Sequence, residues 1–86
     1  MTKEGVDWYF ISFRNPDTNT NLGCCNVSVK AGGGQDAALR KTHQLKINPG
    51  GEVAMFLTQA IEPGWEENKL YSREEMKAMK YEKINN

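Results

Sequence analysis

The sequence predicts an α+β domain: a small three-stranded, mainly antiparallel sheet in the order β-β-α-β-α, one helix packed on one side, and a C-terminal helix. Three observations point there. WYFISF, residues 8–13, is an aromatic and β-branched run of strand type. Gly32, Gly33 and Gly34 separate a second strand-like run from a segment of helical period. INPGGEV, residues 47–53, ends that helix, turns a corner and opens a third apolar run.

In the first strand, alternation places Tyr9, Ile11 and Phe13 on one side and Trp8, Phe10 and Ser12 on the other. RNPDTNTN follows and has loop composition. The second strand covers residues 22–31, with Cys25, Val27, Val29 and Ala31 on its apolar side and Cys24, Asn26, Ser28 and Lys30 opposite. After the glycines, Asp36 suits a helix start. The helix AALRKTHQLKI groups Ala38, Leu39, Thr42 and Leu45 on one stripe, with His43 at its margin and Arg40 toward solvent.

Asn48 precedes a proline, and that position disfavours helical geometry, so the helix is expected to stop there. Pro49 and Gly50 fit the second and third positions of a type II turn. The third strand, residues 53–61, is apolar on both sides. EPGWEENK leads to a charged second helix, where Ser72 and Glu75 have capping-box spacing and Tyr71 with Met76 fits a hydrophobic staple. The most aromatic strand, the first, is expected in the middle, giving the order 2-1-3. The first helix then covers the Tyr9, Ile11 and Phe13 side. Trp8, Phe10, Cys24 and Asn26 are left on a bare face, which is expected to be a self-association surface or a site.

The 86 residues allow one domain, 1–86. A chain of this size buries only about 60–65% of its unfolded surface, and oligomerisation is a common remedy. Eleven Lys and Arg balance eleven Asp and Glu, so bulk charge gives no support for a nucleic-acid polymer or an anionic membrane as partner. No apolar run approaches the about 18 residues of a membrane span. MTKEGVDWYF lacks a charged-then-apolar export pattern, so a cytoplasmic protein is expected. Adjacent Cys24 and Cys25 with a single His do not make a zinc set; two reduced, half-buried thiols are expected, with no metal and no cofactor.

Gly32, Gly34 and Ala37 match a relaxed G-x-G-x-x-A spacing. The chain is too short for a doubly wound sheet, and Asp36 would face the phosphates, so only a single anion at the helix start is left as a possible reading. Gly50 and Gly51 offer N–H groups of the kind a backbone nest gives an anion, and the bland alternative is a turn alone. Arg40, His43, Lys46 and Asn48 lie on the way to that corner; a solvated basic face is the default for them, and Lys46 suits the last turn of a helix. Trp65, in a loop, either plugs a core edge or stacks on a ligand. Glu66 with Glu67 and Glu74 with Glu75 look like solvated charge. No nucleophile–His–acid set and no defined carboxylate pair emerges, so an enzyme is not expected.

THQLKINPGGEV, with AALRK before it, resembles a segment of short bacterial and phage proteins in which a helix ends at a Pro-Gly-Gly corner and leads into a strand. The element order and size also resemble phage anti-defence proteins that sequester nucleotide immune signals, the Thoeris anti-defence sponges. That resemblance implies a homo-oligomer that binds a small cyclic nucleotide-like molecule without turning it over. It carries no binding residue onto this chain. The candidate ligand-binding residues read from the sequence itself are Trp8, Phe10, Asn26, Arg40, His43, Lys46, Asn48, Gly50, Gly51 and Trp65. The alternative is a structural or protein-interaction module with no small ligand.

Overall fold

The computed structural model describes residues 5–85, with side chains as far as Met79. The export reading rests in part on residues 1–4, which lie outside the described residues. The elements are β1 (Val6–Asn15), β2 (Thr20–Lys30), α1 (Gly34–Gln44), β3 (Glu52–Thr58) and α2 (Arg73–Asn85). The sheet has the order β2-β1-β3, and both pairings are antiparallel. The aromatic first strand is central, as its composition implies.

The β1–β2 link is tied by Asn15. Its Oδ1 accepts the Asp17 N–H at 2.9 Å, and its carbonyl accepts the Asn19 N–H at 2.8 Å. Asn19 takes a positive φ of 56°, which asparagine tolerates better than most residues. A register shift between Phe13 and Arg14 marks an irregularity just before the last two pairs, Arg14 with Asn21 and Asn15 with Thr20.

The core is the expected side of the sheet. Tyr9, Ile11, Phe13, Cys25 and Val27 pack with Ala38 of α1, flanked by Leu22, Val29, Ile47, Met55 and Leu70. Burial of such side chains contributes roughly 1.5–3 kcal/mol each. Thr42 is fully buried on the same helix face and spends its hydroxyl on the Leu39 carbonyl at 2.6 Å.

α1 ends earlier than expected. It stops at Gln44, with Lys46 in the left-handed region at φ 60°. The Lys46 N–H donates to the His43 carbonyl and the Ile47 N–H to the Thr42 carbonyl. This is a Schellman stop, which satisfies the helix's last carbonyls before Pro49 is reached. Asn48 therefore lies in the connection and not at the helix end. At α2, the capping box is present: Ser72 N–H donates to Glu75 Oε1, and Glu75 N–H to Ser72 Oγ, both at 3.1 Å.

The face expected to be bare is covered. Trp8 is 4% exposed, Asn26 1%, and Cys24 is buried with them. The segment between β3 and α2 folds back over it. Trp65 packs on Phe10 with ring centroids 5.5 Å apart and on Tyr71 at 4.5 Å. Tyr71 exchanges two backbone hydrogen bonds with Cys24. A loop with no periodicity thus does the work of a fourth, very short strand. Among the described residues β3 is left largely uncovered, with Met55 packed against the core but Val53, Phe56 and Leu57 exposed, because α1 lies over β2 and β1.

Candidate functional site

Two places collect the residues singled out by sequence, and a third emerges from the structure. The first is the corner after α1. Asn48 holds it from both ends of its amide: Nδ2 donates to Thr42 Oγ1 at 3.0 Å, and Oδ1 accepts the Gly50 N–H at 2.7 Å. Gly50 has the positive φ the turn requires, 88°. Gly51 is more constrained, because a Cβ there would run into the Arg14 carbonyl oxygen. The Gly50 N–H is thus already spent within the turn. Arg40 and Lys46 are exposed, and the Asn48 amide approaches His43 Nε2 at 3.4 Å. Glu52, just past the corner, is paired with the Arg14 guanidinium, which also donates to Asn19 Oδ1 at 2.9 Å. Beside that pair lies a shallow recess of about 230 Å3, lined by Ser12, Arg14, Glu52, Val53 and Ala54.

The glycine turn before α1 already holds a carboxylate, and it belongs to the chain. Gly32 N–H donates to Asp7 Oδ2 at 3.0 Å. The Gly32 N–H of that turn is therefore already taken within the chain.

The second place is the covered face. Trp8, Phe10, Asn26 and Trp65, four of the candidate residues, come together there. Trp65 lies over the face, against Phe10 of the central strand and Tyr71. Both polar atoms of the Asn26 side chain are buried without a hydrogen-bond partner among the described residues, as is Asn68 Oδ1. The Asn26 carbonyl, by contrast, accepts the Asn68 N–H at 2.9 Å. Glu67, expected in solvent, is half-buried: it accepts from Ser28 Oγ at 2.6 Å and lies 3.9 Å from Lys41 Nζ. Lys41 also donates to the Ser28 carbonyl. Of the basic helix residues, it is Lys41 that turns inward to tie α1, β2 and the covering loop.

Both cysteines are free and buried, Cys25 fully, where half-burial was expected. Burial, reinforced by neighbouring Cys24, pushes the Cys25 thiol up to about 12. Such a thiol is a poor nucleophile at neutral pH. Among the described residues no group of three or more His, Cys, Asp or Glu could hold a metal ion, and no helix is long and apolar enough to cross a membrane.

The third place was not singled out by sequence. β3 is an edge strand, and Phe56 is 57% and Leu57 66% exposed, with Val53 also open to solvent. Residues 53–58 contain no charge and no proline. The other sheet edge is closed by the chain itself, through Tyr71 on Cys24, Asn68 on Asn26 and Lys41 on Ser28. Charge, proline and bulges are the usual protections of an exposed edge, and this stretch of β3 has none. The signal in the sequence was a third strand, expected over residues 53–61 and ending at Thr58 in the structure, apolar on both sides in a chain too short to cover both.

Fold and surfaces together define a small α+β protein with one closed and one open sheet edge. No family model, curated protein or solved structure matches the chain.

Proposed function

We propose that the chain is a non-enzymatic protein-interaction module that takes an extended segment onto the open β3 edge by strand addition. The observation that carries this reading is the exposure of Phe56 and Leu57 on an edge strand that is uncharged over residues 53–58. In strand addition, backbone hydrogen bonds supply affinity and alternate side chains supply specificity. Phe56 and Leu57 point to opposite sides of the sheet, so an added strand meets an apolar side chain on each.

The test is a display library of short extended peptides panned against the chain. Binding of the enriched peptides is then measured by fluorescence anisotropy on the parent, Leu57→Lys and Phe56→Ser. Both side chains are exposed, so the fold should survive the changes. The expected result is enrichment of alternating apolar peptides and a loss of at least about tenfold in affinity with Leu57→Lys. No enrichment, or binding indifferent to both substitutions, would overturn the reading.

A second reading, sequestration of a nucleotide immune signal in a phage setting, is favoured by one observation. The Asn26 amide is buried with both polar atoms unpaired, on a face that also carries Trp8, Phe10 and Trp65. A planar heterocycle entering beneath Trp65 would meet an amide donor, an amide acceptor and aromatic surface. The freshly purified protein should then show a raised ratio of absorbance at 260 to 280 nm. Mass analysis of heat-released material should find a nucleotide, and Trp65→Ala should abolish its retention. A nucleotide-free protein that also ignores a cyclic nucleotide panel excludes this reading and leaves strand addition untouched.

A further inference from the structure

The direction of every backbone group along β3 follows from one observed pair on the far side of the sheet. Cys24 and Tyr71 exchange hydrogen bonds, Cys24 N–H to the Tyr71 carbonyl at 3.0 Å and Tyr71 N–H to the Cys24 carbonyl at 2.8 Å. The Cys24 polar groups therefore point away from β1. In an antiparallel sheet these directions alternate residue by residue. Cys25 and Val27 then face Ile11 and Tyr9, which turns Trp8, Phe10 and Ser12 toward β3. Their partners Thr58, Phe56 and Ala54 point back to β1. Val53, Met55 and Leu57 are left with N–H and C=O directed out of the open edge.

Building on the strand-addition reading, we infer that the occupant of this edge is β3 of a second copy of the chain, paired antiparallel about a two-fold axis at Met55. Val53 then lies opposite Leu57 of the second copy, Met55 opposite Met55, and Leu57 opposite Val53. All six residues are outward-directed ones, so each pair exchanges two hydrogen bonds. A shift by one residue would set outward groups against inward ones and break the ladder.

The side chains suit the same register. On one face Val53, Met55 and Leu57 form a continuous aliphatic row with their counterparts. On the other, the small Ala54 lies opposite the large, exposed Phe56 on each side of the axis. Glu52 lies opposite Thr58, well away from the other Glu52, and its charge is already matched by Arg14. Assembly also stops at two. The outer strands of the six-stranded sheet would be the two β2 strands, whose edges the chain closes with Asn68, Tyr71 and Lys41. A single-strand contact is small beside the about 800 Å2 per partner of a standard interface, so the dimer is a concentration-dependent one.

Sedimentation velocity over a wide concentration range, with two sets of variants, tests this. Met55→Pro removes an N–H that points out of the sheet and pairs with no strand among the described residues, and proline is tolerated at such edge positions. The parent should shift from monomer to dimer with concentration, and Met55→Pro should weaken dimerisation at least about tenfold, since both central bonds are lost. Leu57→Lys, which adds a charge and leaves the backbone untouched, should do the same and covers the case in which the proline variant fails to fold. For register, Met55→Cys should form an intermolecular disulfide on mild oxidation, because the two copies of residue 55 are directly opposite. Phe56→Cys should not. Equal cross-linking at both positions, or a dimer indifferent to Met55→Pro and Leu57→Lys, overturns the proposal. A parent that stays monomeric while selected peptides still bind β3 overturns self-pairing and leaves strand addition standing. A monomer that binds no peptide overturns both.

Discussion

Asn48 and Thr42 are joined by a 3.0 Å hydrogen bond from the asparagine amide to a threonine hydroxyl that is wholly buried in the α1 face. The other end of the same amide takes the Gly50 N–H. One side chain therefore fixes the angle at which the chain leaves the helix and enters β3. Removing it with Asn48→Ala should cost about 1–2 kcal/mol, the worth of two partly shielded hydrogen bonds. In a domain of this size that lowers the melting temperature by roughly 5–15 °C. Asn48→Asp keeps the acceptor for Gly50 and loses the donor to Thr42, so it should fall between the two. Thermal unfolding of the three proteins checks the order.

The two corner glycines should differ. Gly50→Ala strains a positive φ in open space and should cost about 1 kcal/mol. Gly51→Ala adds the same strain and also drives a Cβ into the Arg14 carbonyl, where β3 leaves the turn to pair with β1. It should cost at least about 2 kcal/mol, and denaturant midpoints should separate the two variants clearly. Equal costs would mean that the Arg14 contact has room to relax.

Much of this was legible in local pattern. The aromatic run of β1 marked the central strand, Ser72 and Glu75 marked the start of α2, and Pro49-Gly50 marked the turn, because each signal lies within a few residues of its effect. The covered face was not. Trp65 and Tyr71 reach Phe10 and Cys24 across about fifty residues of chain, and nothing periodic in EPGWEENK announces a segment that lies on a sheet. For the same reason Glu67 read as solvated charge, although Ser28 and Lys41 draw it in. β3 misled in the opposite direction. Two apolar sides imply burial on both, but the loop shields the sheet beside Trp8 and Asn26 and α1 lies over β1 and β2, so neither reaches the edge strand. Of the candidate residues, Trp8, Phe10, Asn26 and Trp65 form one cluster, while Arg40 and Lys46 remain exposed on and just beyond α1.

Lys46 occupies a position that favours glycine. Its φ of 60° is needed for the Schellman stop, and its side chain is exposed. Lys46→Gly relieves the left-handed strain at some entropic cost in the unfolded chain. A net gain of about 0.5–1 kcal/mol is expected, read as a raised denaturant midpoint with an unchanged slope.

Cys25 sets an alkaline limit on stability. Its folded thiol is raised to about 12 from an ordinary value of 9.0. A raised value means that the stabilisation is complete below pH 9 and is lost as pH climbs through the window from 9 toward 12, where the unfolded chain ionises first. Native protein should resist iodoacetamide at pH 8 and react readily once unfolded. Replacing Cys25 by alanine should flatten the alkaline loss while lowering stability at neutral pH, because a buried side chain is truncated.

Amide hydrogen exchange along β3, read residue by residue below and above the concentration of association, tests the open edge most directly. In dilute protein Ala54, Phe56 and Thr58 should be protected by β1, and Val53, Met55 and Leu57 should exchange freely. On association, or with a selected peptide bound, the second set should slow by at least about tenfold while the first changes little. Uniform protection of all six amides in the dilute monomer would contradict the open edge. So would a bound state in which Val53, Met55 and Leu57 still exchange freely.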